Sequence, residues 1–164
     1  VAELAIALMF EAARRISIMS NNVKNGNWDR VRGMELTGKT IGIIGGGQIG
    51  KEVAKRAKGL CMEVVIYDPY YADLEFLEKH KITHCNSLDK ALGLSDIVSL
   101  HLPLTKETKQ IINGKTLRKM KSTAILINTS RGELIDEESL FMALRENVIA
   151  FSAQDVFSDR KSVV

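Results

Sequence analysis

The sequence predicts an α/β fold, a doubly wound parallel sheet, on the strength of three observations. From Gly38 onward, short β-branched runs alternate with amphipathic stretches at the spacing of strand–helix–strand crossovers. The run Ile41, Ile43, Ile44 passes into a glycine-rich turn, Gly45, Gly47 and Gly50, and then into helical spacing through Ile49, Val53, Ala54 and Ala57. The next apolar run, Val64-Val65-Ile66-Tyr67, ends on a carboxylate, Asp68, 18 residues after Gly50.

Taken in order, residues 1–20 read as a helix apolar on two sides. Val1, Leu4, Ala5, Leu8 and Met9 form one stripe, and Ala2, Ile6, Phe10 and Ala13 form another. Such a helix must be buried on both faces, so one face is expected to cover its own domain and the other a partner domain or second subunit. Asn21 to Thr37 is polar and irregular, with Trp28 expected as an anchor. Strands are predicted at 40–44, 63–67, 97–100, 124–128 and 149–155, with a weaker one near Ile82. Helices are predicted at 48–60, 73–80, 88–93, 114–120 and 136–146. The chain thus divides into a packing or dimerisation helix (1–20), a sheet core (38–157) and a short tail (158–164). A parallel sheet places ligands at the carboxyl ends of its strands. The residues to watch are therefore Gly45–Gly50, Asp68, His101–Leu104, Thr129–Gly132 and Asp155.

The glycine turn has the spacing G-x-G-x-x-G. The first glycine permits the tight turn, the second lets a pyrophosphate approach the backbone, and the third lets helix and strand pack closely. The helix N-terminus beyond it offers unpaired N–H groups and the positive end of a dipole to the phosphates. A carboxylate at Asp68 can accept both hydroxyls of an adenosine ribose and repels a 2′-phosphate, and no basic residue follows it closely. The expected cofactor is NAD rather than NADP, on a Rossmann-type dinucleotide-binding domain spanning 1–164.

At 164 residues the chain fits one domain, long enough to bury roughly 68–70% of its unfolded surface. A hydrophobic share of 45% with 26% charged residues is ordinary for a globular protein, and a net charge of +3 gives no argument for nucleic acid. The basic stretch Lys115 to Lys121 lacks interleaved aromatics and reads as a solvated helix face. Cys61 and Cys85 lack zinc-type spacing. They are expected as reduced thiols in a core, which suits the cytoplasm, and no metal is expected. Leu4 to Phe10 is too short for a membrane span of ~20 residues and follows Glu3 rather than a positive charge, so neither a span nor a signal peptide is expected. Because it opens at Val1 without an initiator methionine, the chain is expected to be a piece of a longer protein.

Several blocks together resemble the coenzyme domain of the D-isomer-specific 2-hydroxyacid dehydrogenases. They are Val1-Ala2-Glu3 opening an alanine-rich helix, Leu36-Thr37-Gly38-Lys39-Thr40-Ile41-Gly42-Ile43-Ile44-Gly45, Tyr67-Asp68-Pro69-Tyr70 and His101-Leu102-Pro103-Leu104-Thr105. Met120-Lys121, Asn128-Thr129-Ser130-Arg131-Gly132 and Asp155-Val156-Phe157 complete the set, in family order, from residue 1 to about 157. The resemblance implies a substrate that is a small 2-hydroxy or 2-keto acid. It implies that the backbone of Gln48 and Ile49 lies over the pyrophosphate, and that Leu102 and Pro103 line the cofactor cleft. Thr129, Ser130 and Arg131 would lie beside the nicotinamide ribose, and Asp155 would accept a hydrogen bond from the carboxamide. Arg131 is the expected catalytic residue, because a planar guanidinium can hold a keto acid carboxylate in two prongs while polarising the adjacent carbonyl. His101 would order its loop, whereas His80 and His84 are expected in exposed or capping roles. The family's proton-donating histidine would fall beyond Val164.

The sequence also departs from the family. The glutamate that holds the donor histidine should stand at position 160, where the chain has Arg160, and the usual Glu-Pro is absent from residues 158–164. The family's substrate domain, which flanks this region on both sides, is expected to lie outside this chain. The chain alone is therefore expected to bind NAD without turning over a 2-hydroxy acid. Cys61 replaces a glycine usual at the end of the first crossover helix, a strain of ~1 kcal/mol if that site is left-handed. Two other functions fit part of the pattern. One is a non-catalytic, NAD-responsive dimerising module like the family's co-repressor branch. The other is the NAD domain of a hydrolase such as adenosylhomocysteinase, which does not account for Asn128–Gly132. A homodimer through the N-terminal helix is expected.

Overall fold

The computed structural model describes residues 1–158. Six parallel strands form one sheet: β1 (Thr40–Ile44), β2 (Glu63–Tyr67), β3 (Thr83–Cys85), β4 (Ile97–Leu100), β5 (Ile125–Asn128) and β6 (Phe151–Gln154). Their order across the sheet is β3-β2-β1-β4-β5-β6. The chain winds outward from β1 in one direction and restarts at β4 in the other, so the connections leaving β1 and β4 diverge and open a crevice between them.

Alternation along the strands sorts the core into two layers. Ile41, Ile43, Val64, Ile66, Ile97, Ile125 and Ile127 face helices α1 (Ala2–Arg14), α3 (Gln48–Gly59) and α4 (Leu74–His80). Ile44, Val65, Val98, Leu100 and Leu126 face α5 (Leu88–Leu94), α6 (Gly114–Leu117) and α7 (Glu137–Arg145). Strands buried on both faces explain why the sequence shows continuous apolar runs rather than polar alternation. Each isoleucine removed fully from water contributes roughly 1.5–3 kcal/mol of transfer free energy. Gly42 faces α5, where a Cβ would fall 2.2 Å from Ser95 Oγ, so a residue without a side chain sets how closely that helix seats.

The N-terminal segment differs from expectation. The helix predicted over 1–20 breaks at Arg15, which is left-handed at φ 57°, and α2 (Ile16–Lys24) follows. The Glu11 carboxylate accepts the Ser17 N–H at 2.9 Å, and the Arg15 guanidinium sits 4.6 Å from the centre of the Phe151 ring. These two contacts hold the kink. Helix α1 buries Ala5, Met9, Ala12 and Ala13, whereas Val1 and Leu4 are exposed. No residue of α2 is buried, although Ile16, Ile18, Met19 and Val23 lie along it. Trp28 is 82% exposed and anchors nothing among the described residues.

Other boundaries shift by small amounts. The weak strand near Ile82 is Thr83–Cys85, the helix expected at 114–120 closes at Leu117, and Asp73 caps α4 rather than belonging to it. The basic stretch after Asn113 is partly paired, Lys119 with Asp89 and Lys121 with Asp96. Cys85 is buried as expected, but Cys61 is exposed. Cys61 occupies the glycine-type position, with φ 59°. Its N–H bonds to Lys58 O, and Met62 N–H bonds to Ala57 O, closing α3. Arg160 and the rest of the tail beyond Ser158 lie outside the described residues. No helix among the described residues is long and apolar enough to cross a membrane.

Candidate cofactor site

The site is assembled at the carboxyl edge of the sheet. Gly45 ends β1 at φ +105°, and a Cβ there would lie 2.4 Å from His101 O, so the turns after β1 and β4 touch through bare backbone. A Cβ on Gly50 would lie 2.2 Å from Gly45 O, which fixes the close seating of α3 on the turn. Gly47 is different: nothing lies within 4 Å of its Cβ position. It caps α3 without a side chain, leaving the N–H groups of Gln48, Ile49 and Gly50 at an open helix end. Ile49 points outward and is exposed.

Asp68 sits beside this turn. Its Oδ2 accepts the Gly46 N–H at 2.9 Å and its Oδ1 accepts the Tyr70 N–H at 3.0 Å. A cleft of about 420 Å³ opens next to it, lined by Asp68, Pro69, Tyr70, Leu102, Pro103 and Ile111 among others. The loop carrying Leu102 and Pro103 is shaped by its own threonines: Thr108 Oγ1 donates to Pro103 O at 2.7 Å and accepts the Thr105 N–H at 2.8 Å. Asp68, Leu102 and Pro103 thus line one cleft.

The strand-end residues beyond β5 form a second cleft of about 530 Å³, lined by Ser130, Arg131, Gly132, Glu133, Val156, Phe157 and Ser158. Arg131 is exposed, and its Nη1 donates to Ser130 O at 2.7 Å. Asn128, fully buried, shapes this turn by accepting the Ser130 N–H at 3.0 Å and donating Nδ2–H to Arg131 O at 2.9 Å. Ser130 Oγ donates to Leu100 O at 2.8 Å, so this side chain is committed to joining β4 and β5. Thr129 is buried with its hydroxyl unpartnered among the described residues. Asp155 is exposed at the end of β6, its N–H bonded to Asn128 O at 3.0 Å. Gly132 lets the 157–158 backbone cross directly over it, where a Cβ would stand 2.1 Å from Phe157 C.

The histidines divide as follows. His101 is largely enclosed, its Nε2 is 2.8 Å from Ser99 Oγ, and burial pushes its pKa down to about 4. The ring is neutral at neutral pH. His84 is half-buried and bonds Asp68 O at 3.1 Å through Nε2, so it supports the acid rather than facing solvent. The His80 ring packs 4.6 Å from the Phe76 ring. Sequence reasoning passed over Tyr71, named Asn128 only within its block, and expected His84 in an exposed or capping role rather than bonded to Asp68. The middle glycine of three in a row, Gly46, was the available signal for Tyr71, because a bare position beside a strand invites another side chain.

The donor set suits a dinucleotide. An open backbone cradle at Gly47, a ribose-type carboxylate, an orphaned buried hydroxyl at Thr129 and an accessible guanidinium share one edge. Comparison with known proteins agrees. Residues 6–163 match the family described as D-isomer specific 2-hydroxyacid dehydrogenase, NAD binding domain. The chain is 43% identical to the D-3-phosphoglycerate dehydrogenase of Methanocaldococcus jannaschii, covering 97% of this chain and 30% of that protein. It is also 43% identical to the glyoxylate reductase of Korarchaeum cryptofilum, covering 95% and 48%. Among solved structures, one described as the pyruvate reductase of Chlamydomonas reinhardtii superposes with a TM-score of 0.92 at 37% identity, over 99% of this chain and 48% of the other. The chain therefore spans about half or less of the length of these relatives. By its sequence, sheet order and glycine turn, the chain belongs to the D-isomer specific 2-hydroxyacid dehydrogenase family, as its NAD-binding domain.

Proposed function

We propose that the whole protein is an NAD-dependent oxidoreductase interconverting a D-2-hydroxy acid and its 2-keto acid, in the manner of a phosphoglycerate dehydrogenase or a glyoxylate reductase. The observation that carries this reading is the placement of Arg131 on the same sheet edge as Asp68 and the Gly47 cradle. Bound NAD supplies the hydride acceptor. The N–H groups at the start of α3 hold the pyrophosphate, and Asp68 has lone pairs left for ribose hydroxyls after accepting from Gly46 and Tyr70. Thr129 and the Ser130 backbone flank the nicotinamide ribose, and Asp155 orients the carboxamide. Arg131 grips the substrate carboxylate and polarises the neighbouring carbonyl, and such positioning is a large part of what the reaction asks of the protein. The names of the relatives favour an oxidoreductase over a non-catalytic NAD-responsive module.

The same reading makes the protein a cytoplasmic homodimer. Exposed Val1 and Leu4 on α1 and the uncovered apolar residues of α2 support an interface at the N-terminal helix. The unpaired thiols Cys61 and Cys85 support a reducing compartment.

The test is titration of the 164-residue chain with NADH and NADPH, followed by nicotinamide fluorescence. NADH binds more tightly, and the chain alone gives no turnover of 2-hydroxy acids. Absence of NADH binding, or NADPH binding as tight as NADH, overturns the reading.

A further inference from the structure

The position between the first two glycines of the turn is itself a glycine, and its missing side chain is replaced from elsewhere. A Cβ on Gly46 would lie 2.2 Å from Tyr71 Cδ2 and 2.4 Å from Tyr71 Cε2. The phenol ring therefore fills the volume that a side chain at position 46 would occupy. The ring is itself held: the His84 ring lies 5.7 Å away between centroids, and the Lys51 ammonium is 5.8 Å from its centre.

The segment from Asp68 to Asp73 crosses the start of α3 as a strap tied at both ends. At one end the Asp68 carboxylate accepts the Gly46 N–H, and Asp68 O accepts the Tyr71 N–H at 3.2 Å and bonds His84 Nε2 at 3.1 Å. At the other end Asp73 pairs with Lys51 of α3 and caps α4 by accepting the Phe76 N–H at 3.0 Å. Besides the Asp68 carboxylate, the Tyr71 ring is the part of this strap that meets the glycine turn, at Gly46. Its hydroxyl is buried without a hydrogen-bond partner among the described residues, so the ring rather than the oxygen is what the site uses.

We propose that Tyr71 is a positioning residue for the dinucleotide: its ring seats on Gly46 and so fixes the Asp68 carboxylate against the glycine turn. The inference rests on the NAD-binding reading and adds that discrimination between NADH and NADPH depends on residue 71, which need touch neither cofactor. With the ring gone, the strap loses its seat, and Asp68 can turn away from the position in which it meets a ribose and repels a 2′-phosphate.

The experiment compares Tyr71→Phe, Tyr71→Ala, Gly46→Leu and the double variant Tyr71→Ala/Gly46→Leu, reading NADH and NADPH affinity and Tm for each. Tyr71→Phe keeps the ring and stays within about twofold of the parent in both affinities. Tyr71→Ala weakens NADH about tenfold, weakens NADPH less, and narrows their ratio. Gly46→Leu alone lowers Tm and NADH affinity, because its side chain meets the ring. In the double variant Leu fills the space that Tyr71 leaves, so Tm and the NADH:NADPH ratio recover beyond the sum of the single effects. Tyr71→Ala with an unchanged ratio, or Tm effects that simply add, overturns this inference alone. Failure of the parent chain to bind NADH overturns the functional reading and this inference with it.

Discussion

The backbone N–H of Gly46 donates to Oδ2 of Asp68 across 2.9 Å, so the glycine turn and the acid ending β2 are one hydrogen-bonded unit. On the proposed reading, replacing Asp68 therefore has two effects: the ribose loses its acceptor, and a part-buried backbone donor loses its partner. Asp68→Ala is expected to weaken NADH by one to two orders of magnitude, about 1.4–2.8 kcal/mol, and to reduce the preference over NADPH. Isothermal titration with both cofactors checks it.

Arg131 is accessible, and its turn is held by Asn128 rather than by the guanidinium itself. Arg131→Lys in the whole protein keeps the charge but loses the planar fork. Turnover with a 2-keto acid should fall by about a hundredfold or more, with NADH affinity changing far less. A kcat/KM within a few-fold of the parent would remove Arg131 from its role.

Asp96 ties the opposite edge of the sheet. Its carboxylate accepts the Thr40 N–H at 2.9 Å and pairs with Lys121 at 2.9 Å, while its backbone bonds to both Thr40 and Ile125. Burial works against the charged form, but the Thr40 N–H and Lys121 outweigh it and hold the carboxyl below its ordinary range. A depressed carboxylate pKa gives stability that is present above the unfolded value and lost as pH falls through the folded one. Asp96→Ala should cost about 1–3 kcal/mol at neutral pH and remove part of the acid limb below about pH 4, as urea unfolding across pH would report.

His101 works in a higher window. Its folded pKa is about 4 against an ordinary 6.5, so the unfolded chain takes up the proton first. Stability from this group is fully present above pH 6.5 and is lost progressively as pH falls toward 4. His101→Gln should flatten the stability profile across that interval by roughly 2–3 kcal/mol. An unchanged slope would show that the ring does not remain neutral.

Most of the sheet was legible because buried parallel strands announce themselves as β-branched runs; β1, β2 and β4 fall where those runs lie. Asp68, Leu102 and Arg131 follow the carboxyl ends of β2, β4 and β5, where the strand-end rule directed attention, and line two clefts there. The kink at Arg15 was not legible, since arginine favours helix and the break depends on Phe151, distant in sequence. Trp28 looked like an anchor because large aromatics usually find a core, yet it stays exposed among the described residues. The Tyr71–Gly46 contact escaped for a similar reason: a glycine records what is missing, not which neighbour fills the gap.

The chain has two cysteines, Cys61 exposed and Cys85 buried. Cys61 precedes β2, on the amino side of the strands and away from the crevice proposed for the dinucleotide. A maleimide dye or a surface tether attached there would leave the nucleotide entrance unobstructed, which gives the protein a ready-made handle for immobilisation or single-molecule work.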